Sequence, residues 1–318
     1  MKIGVLGTGF GAYHAQVLSK MEWVDHIVVF GRNREKLLQL KKELGVETTT
    51  CIEDILHDPG IDVVDNCLPS HLHRQYSIEA LKNGKHVFCE TPVCLSLEDA
   101  QAMNLAVEQY KKRILVNQFI KFSPAYQYLY DAVKQQTFGN LISLSVVRET
   151  PPIWGELGLS TISTNLMIHD IDFIVWILGI PERLTVWGRE MMKEGQSQVR
   201  AFFNYRDTVA EVTGSSHMPE SYPFTVGFQA YFEKAKLEYS GAFVGDRFEE
   251  TFYEYTGAGK QKVIPNGGDP YEKAIEHALH CFEKDADSVI ELNEAIRSLE
   301  IAVELKNRLM QNRPHSPS

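Results

Sequence analysis

The chain of 318 residues is 44% hydrophobic and 23% charged, enough to bury a sizeable core and long enough for about two domains. Its formal net charge of −10, with both signs mixed along the chain, repels a phosphate backbone and argues against nucleic acid as a partner. No apolar run reaches the roughly 18 residues of a membrane span, and the opening KIGVLG reads as a strand rather than a signal peptide, so no membrane partner and a cytoplasmic location are expected.

Through the first 120 residues, short apolar runs alternate with amphipathic segments. KIGVLG, HIVVF, VETTT, DVVDNC, HVFCE and RILVNQ read as strands, and REKLLQLKKEL, RQYSIEALKNG and SLEDAQAMNLAVEQY carry helical periodicity between them. That alternation predicts a parallel, doubly wound sheet. From residue 121 the pattern changes to a helix in SPAYQYLYDAVKQQ, a strand, a helix around 163 to 178, and then QVRAFFNY, DTVAEVTGS, FTVGFQAYF and AKLEYS, which predict a predominantly antiparallel open sheet. Helices in DPYEKAIEHALHCFEK and SVIELNEAIRSLEIAVELKNRL close this α/β region, and the tail QNRPHSPS is expected to fray. Cys51, Cys67, Cys89, Cys94 and Cys281 are odd in number and lack paired CxxC spacing. They are expected as reduced thiols, with neither a disulfide framework nor a bound metal.

The first strand ends in VLGTGFGAYHA, where Gly7, Gly9 and Ala12 fit the G-x-G-x-x-[GA] spacing. The first glycine permits a tight turn, the second lets a pyrophosphate approach the backbone, and the small third residue lets helix and strand pack closely. The helix that follows offers its free N–H groups to the phosphates. After the second strand, the acidic residue that would bind a ribose 2′-hydroxyl is absent, and Gly31, Arg32 and Asn33 stand there instead. Arg32, with Arg34 as a second cation, can meet a 2′-phosphate, so NADP is the expected cofactor and NAD the other candidate. The alternative is that both arginines are solvated charges at a helix start.

GTGFGAYHA, DVVDNCLPSHLHRQYSIEALKNGKHVFCETP, FSPAYQYL, IHDIDFIVWILG and FNYRDTVAEV occur in that order, and in this the chain resembles the Gfo/Idh/MocA oxidoreductases. The resemblance covers nearly the whole length. It implies an NAD(P)-binding Rossmann domain over residues 1–120 and a substrate-binding and oligomerisation α/β domain over 121–318. It also implies hydride exchange between nicotinamide and a small sugar, polyol or related substrate, in a homodimer or homotetramer. Cofactor contacts are assigned to Gly7, Thr8, Gly9, Phe10, Gly11, Ala12, Arg32, Asn33, Leu68, Pro69, Glu90 and Pro92, and the Thr91–Pro92 peptide is expected to be cis.

Two departures stand out against the family pattern. The usual Glu-Lys-Pro is Glu90, Thr91 and Pro92, and the usual Asp-x-x-x-His is Asn165 and His169. The resemblance makes His169 the candidate general acid/base, since its ordinary pKa of roughly 6.5 suits proton transfer from a carbinol at neutral pH. Losing the lysine removes a cation beside the developing alkoxide, and losing the aspartate removes the charge that would stabilise an imidazolium. Thr91 and Asn165 can still hydrogen-bond a substrate. Asn165 and His169, four apart, are expected on one helix face, with Asp172 nearly a turn beyond and Asp170 pointing elsewhere. Lys121 is either a replacement cation or a surface lysine. His71 and His73 lie past a strand end as candidate substrate contacts, and Trp154 and Tyr126 as candidate pocket walls. Beside the sugar-type oxidoreductase stand two further readings. One is a reductase of a conjugated substrate resembling biliverdin reductase, the other a catalytically weak nucleotide-binding protein used for sensing or assembly.

Overall fold

A computed structural model describes residues 1–191, 195–245 and 247–311. The tail after Gln311 lies outside the described residues. The chain forms two compact units: Met1–Phe119 with Asp269–Ile296, and Ile120–Gly268 with the described residues from Arg297 onward.

In the first unit the order is β1 (Lys2–Leu6), α1 (Phe10–Leu18), β2 (His26–Phe30), α2 (Arg34–Leu44), β3 (Glu47–Thr49), α3 (Glu53–Leu56), β4 (Val63–Asn66), α4 (His73–Lys82), β5 (His86–Cys89), α5 (Leu97–Tyr110) and β6 (Ile114–Val116). The strands form one parallel sheet in the order β3-β2-β1-β4-β5-β6. The order reverses at β1, and the crevice beyond the strand ends there is where such sheets take ligands. The central strands are mostly apolar; Ile3, Val5, Leu6, Val63, Val64, Val87, Ile114 and Leu115 are all buried. Local chemistry sets the helix ends. Asn33 Oδ1 accepts from the backbone N–H groups of Glu35 and Lys36 to start α2, and Gly45 at φ +71 stops it.

The second unit contains α6 (Pro124–Lys134), β7 (Leu141–Glu149), α7 (Ile162–Asn165), α8 (Ile168–Leu178), β8 (Arg183–Glu190), β9 (Ser197–Asn204), β10 (Val209–Ser215), β11 (Thr225–Phe232), β12 (Ala235–Val244), β13 (Arg247–Thr256) and β14 (Gly259–Lys262). Among the described residues its strands form one sheet in the order β14-β13-β12-β11-β7-β10-β9-β8, antiparallel except where β7 pairs with β10. Alternation decides which face is buried. In β9, Val199, Ala201 and Phe203 are buried while Arg200 is exposed.

The chain closes with α9 (Pro270–Lys284) and α10 (Leu292–Gln311). Residues 269–296, which lie past the sequence boundary at 120, pack with the first unit. There Arg113 donates to the carbonyls of Cys281 and Ala286, and Val116 N to that of Ile290.

The single helix expected around 163 to 178 is two. Leu166 N and Met167 N both bond back to Ile162 O, which interrupts the regular helical hydrogen-bond pattern between α7 and α8. Met167, just past the break, is fully buried, and its Cγ would lie 2.6 Å from a Cβ at Gly214, so the glycine there makes room for it.

Candidate functional site

At the glycine turn, Gly7 has φ +112, and a Cβ there would lie 2.7 Å from Cys67 O. Only glycine fits. At Gly9 a Cβ would meet nothing within 4 Å, so the outer side of the turn is open. The first turn of α1 receives no side-chain cap, which leaves its N–H groups suited to a phosphate. The close packing expected of Ala12 is made by Gly11. A Cβ at Gly11 would lie 3.0 Å from Val5 Cγ1 and 3.3 Å from Cys67 Cβ, whereas Ala12 is half-buried. Phe10 is exposed, with its ring 6.0 Å from that of Tyr271 at the start of α9.

At the end of β2, Arg32, Asn33 and Arg34 are all exposed. Asn33 uses its side-chain oxygen to cap α2, and Arg32 faces solvent. Gly31 is buried, and a Cβ there would lie 2.5 Å from Thr8 Cγ2. Crowding by the glycine turn therefore accounts for the missing side chain at the position where a carboxylate would bind a ribose.

Past β5 the Thr91–Pro92 peptide is cis, as the resemblance implied. Thr91 Oγ1 donates to Asn117 O at 2.9 Å, so its proton is already engaged within the first unit. Glu90 lies in a buried network. Asn117 Nδ2 donates to its Oε1 at 2.7 Å, Thr91 N donates to its Oε2 at 3.1 Å, and His14 Nε2 lies 2.9 Å from Oε1. The last contact falls off the ring N–H axis, so it acts as an ion pair more than as a straight hydrogen bond. On the other side, His14 Nδ1 lies 2.9 Å from Asp65 Oδ2. Burial disfavours the imidazolium, but Asp65 and Cys67 together outweigh it and raise His14 well above its ordinary pKa. Burial pushes Glu90 up, and His14, Asn117 and the Thr91 N–H together bring it below the ordinary carboxylate range.

His14, Cys67 and Glu90 each place one ligand atom within 4.8 Å of the others. Both imidazole nitrogens nevertheless face carboxylate oxygens, and burial raises the Cys67 thiol above its ordinary value, so the group reads as a protonated ion-pair network.

His73 is buried between backbone carbonyls, with Nδ1 2.9 Å from Pro92 O and Nε2 2.6 Å from Leu68 O. It ties two strand-end segments together rather than facing a substrate. His71 is exposed, as is Pro69, and Leu68 is half-buried.

In the second unit, Asn165 ends α7 and is exposed, while His169 is the second residue of α8 and is half-buried. The helix break puts them on separate helices, so they do not share a continuous helix face. Lys121 is fully buried, with Nζ 3.4 Å from Asp172 Oδ1 and 5.7 Å above the Trp176 ring, which removes the surface-lysine alternative. Asp172 also accepts from Ser298 Oγ at 2.8 Å. Asp170 does turn elsewhere, into a buried two-pronged pair with Arg148 at 2.7 and 2.9 Å. Tyr126 is packed edge-on against Phe173 and Phe228 rather than walling a pocket, and Trp154 is exposed.

Sequence reasoning missed His14, Asp65 and Asn117. A signal was present: a histidine on the buried side of an apolar helix and an aspartate within the apolar strand VVDN are both improbable without partners.

A doubly wound sheet with a glycine turn opening an uncapped helix at its switch point defines a dinucleotide-binding fold. Residues 1–118 match the model of the Gfo/Idh/MocA family, described as oxidoreductase family, NAD-binding Rossmann fold. A myo-inositol 2-dehydrogenase of Thermotoga maritima is 30% identical over 187 residues, which cover 56% of this chain and 55% of that protein. The chain spans about half the length of the curated relatives it matches. Among solved structures, a putative NADPH-dependent oxidoreductase from Desulfitobacterium hafniense aligns with TM-score 0.86 at 18% identity, over 98% of this chain and 96% of its own. An oxidoreductase from Agrobacterium radiobacter in complex with NAD+, L-tartaric acid and magnesium aligns with TM-score 0.83 at 14% identity, over 98% and 97%. At those identities the likeness is one of fold. No described helix is long and apolar enough to cross a membrane.

Proposed function

We propose that the chain is an oxidoreductase that binds NADP in preference to NAD and exchanges hydride between the nicotinamide and a small sugar-like or related hydroxyl or carbonyl substrate. The observation that carries the reading is the glycine turn, where Gly7 admits no Cβ and α1 opens uncapped toward open space. Gly7, Thr8, Gly9, Phe10, Gly11 and Ala12 surround the pyrophosphate. Arg32 meets the 2′-phosphate from the rim of β2, and Asn33 holds the start of α2 beside it. Leu68, Pro69, Glu90 and Pro92 border the other half of the cofactor at the ends of β4 and β5.

When bound, the nicotinamide supplies the two-electron acceptor or donor. In the oxidation direction His169 would take the hydroxyl proton, and in the reduction direction it would return it. Asn165 hydrogen-bonds the substrate. Thr91, with its proton given to Asn117 O, keeps only acceptor capacity in its hydroxyl. Lys121, sealed against Asp172, acts by fixing α8, which carries His169, rather than on the substrate itself. The second sheet, with exposed Trp187, Tyr231, Phe243 and Phe248, is the proposed contact surface of a cytoplasmic homodimer or homotetramer.

The test is to titrate NADPH and NADH by fluorescence and to assay hydride transfer across a panel of sugars and polyols. NADPH is expected to bind about tenfold tighter or more, as one charge-assisted contact predicts, and Arg32→Ala to erase the difference. His169→Ala is expected to lower turnover by roughly 10² to 10⁴ with NADPH affinity unchanged. Equal affinity for the two cofactors, or full turnover in His169→Ala, would overturn the corresponding part.

A further inference from the structure

The network under the glycine turn is more elaborate than phosphate binding requires. His14, on α1, reaches Asp65 on β4 with one nitrogen and Glu90 past β5 with the other, both at 2.9 Å. Asn117, past β6, holds the same Glu90 oxygen, and Thr91 N holds the second. Three segments thereby hold one carboxylate, and Asp65 on β4 holds the imidazole. His14 and Asp65 are sealed, with side-chain exposures of 0% and 3%, while Glu90 keeps 16%. One cation between two anions leaves one net negative charge, and the exposed end of that charge is Glu90.

The sheet order says what would lie over it. A dinucleotide on such a sheet places its adenosine ribose by β2 and its pyrophosphate on the turn after β1, so its other half crosses the ends of β4 and β5. A nicotinamide ring is cationic when oxidised and neutral when reduced, so a fixed carboxylate beneath it discriminates between the two states.

We propose that His14 is a positioning residue that holds Glu90 as a carboxylate beside the nicotinamide half of the cofactor, and that this charge biases binding toward the oxidised ring. The inference rests on the nucleotide reading above. It assigns the network a redox-state preference, separate from the choice between NADP and NAD, which is made at the β2 rim. Glu90 acts on the cofactor through its charge. His14 acts only through Glu90, because without the imidazolium the buried pair Asp65 and Glu90 repel and Glu90 takes up a proton.

The experiment measures dissociation constants for NADP+ and NADPH by calorimetry in wild type, Glu90→Gln, His14→Gln and the double variant, with a melting curve for each. Glu90→Gln is expected to weaken NADP+ relative to NADPH by about threefold to tenfold, and His14→Gln to move the ratio in the same direction. In the double variant, His14→Gln should add nothing to the ratio. A merely structural role would weaken both redox forms equally and leave the ratio alone. Should His14→Gln not fold, His14→Asn removes the imidazolium with a smaller side chain and should shift the ratio the same way. An unchanged ratio in Glu90→Gln, or fully additive effects in the double variant, would overturn the proposal, as would one equivalent of tightly held zinc lost on His14→Gln. Failure of the nucleotide reading would look different: wild type would bind neither form.

Discussion

Tyr126 shows how a single atom can set a cost. Its ring sits edge-on to Phe173, Phe228 and Tyr239, and its hydroxyl is buried with no hydrogen-bond partner among the described residues. An unpaired buried hydroxyl forfeits its hydration without compensation, so Tyr126→Phe is expected to stabilise the protein by about 1 kcal/mol. Urea unfolding of the two proteins checks this, and a loss of stability would show that the hydroxyl has a partner in solution. An aromatic residue beside FSPAY was legible in the sequence, but whether its oxygen is paired depends on strands remote in the chain. Lys121 makes the same point. No local pattern distinguishes a surface lysine from one sealed against Asp172, because the partner lies 51 residues away on another element.

At the scale of elements, the β1–α1 turn and the end of β2 act as one unit. Gly31 lacks a side chain where dinucleotide folds often carry an acid, and the space is taken by Thr8 Cγ2, 2.5 Å from where a Cβ would stand. Gly31→Asp alone is therefore expected to destabilise the turn without creating a sound NAD site. Thr8→Ser with Gly31→Asp should relieve the clash and raise NADH affinity relative to NADPH by about tenfold, read by fluorescence titration of both cofactors. If the single substitution performs as well as the double, the packing explanation is wrong. The glycine spacing itself was legible, yet the close-packed residue proved to be Gly11 rather than Ala12, because helix phase and not motif position decides which Cα faces the strand. The division of the expected 163–178 helix into α7 and α8 was not legible, since the apolar periodicity runs on through Leu166 and Met167, whose seat beside Gly214 is a contact between distant segments.

Global stability carries the marks of such long-range contacts. His86, at the start of β5, packs its ring at a tilt against that of Phe282 of α9 with centroids 5.0 Å apart, accepts from Arg113 N at its Nδ1, and has Lys112 Nζ 3.4 Å from its Nε2. Burial first, then Lys112 and Arg113, push its pKa from 6.5 down to about 4. The folded pKa lies below the unfolded one, so the neutral imidazole's contribution is complete above pH 6.5 and is lost as pH falls toward 4. Melting temperatures of wild type and His86→Gln should accordingly converge as pH is lowered across that window. Parallel curves would show that His86 does not carry this part of the acid sensitivity.

Local composition was enough to determine the parallel first sheet, the predominantly antiparallel second one, and the glycine turn after the first strand. Apolar runs, alternation and glycine spacing are short-range properties that propagate directly into strands and turns. The tertiary structure alone decided that residues 269–296 join the first unit, that Thr91 gives its proton to Asn117 O, and that Glu90 is shared among His14, Asn117 and the Thr91 N–H. The reason is common to all three. A buried polar group takes whichever partner the packed chain brings within reach, and those partners come from segments whose nearness is created only when the apolar surfaces between them are buried.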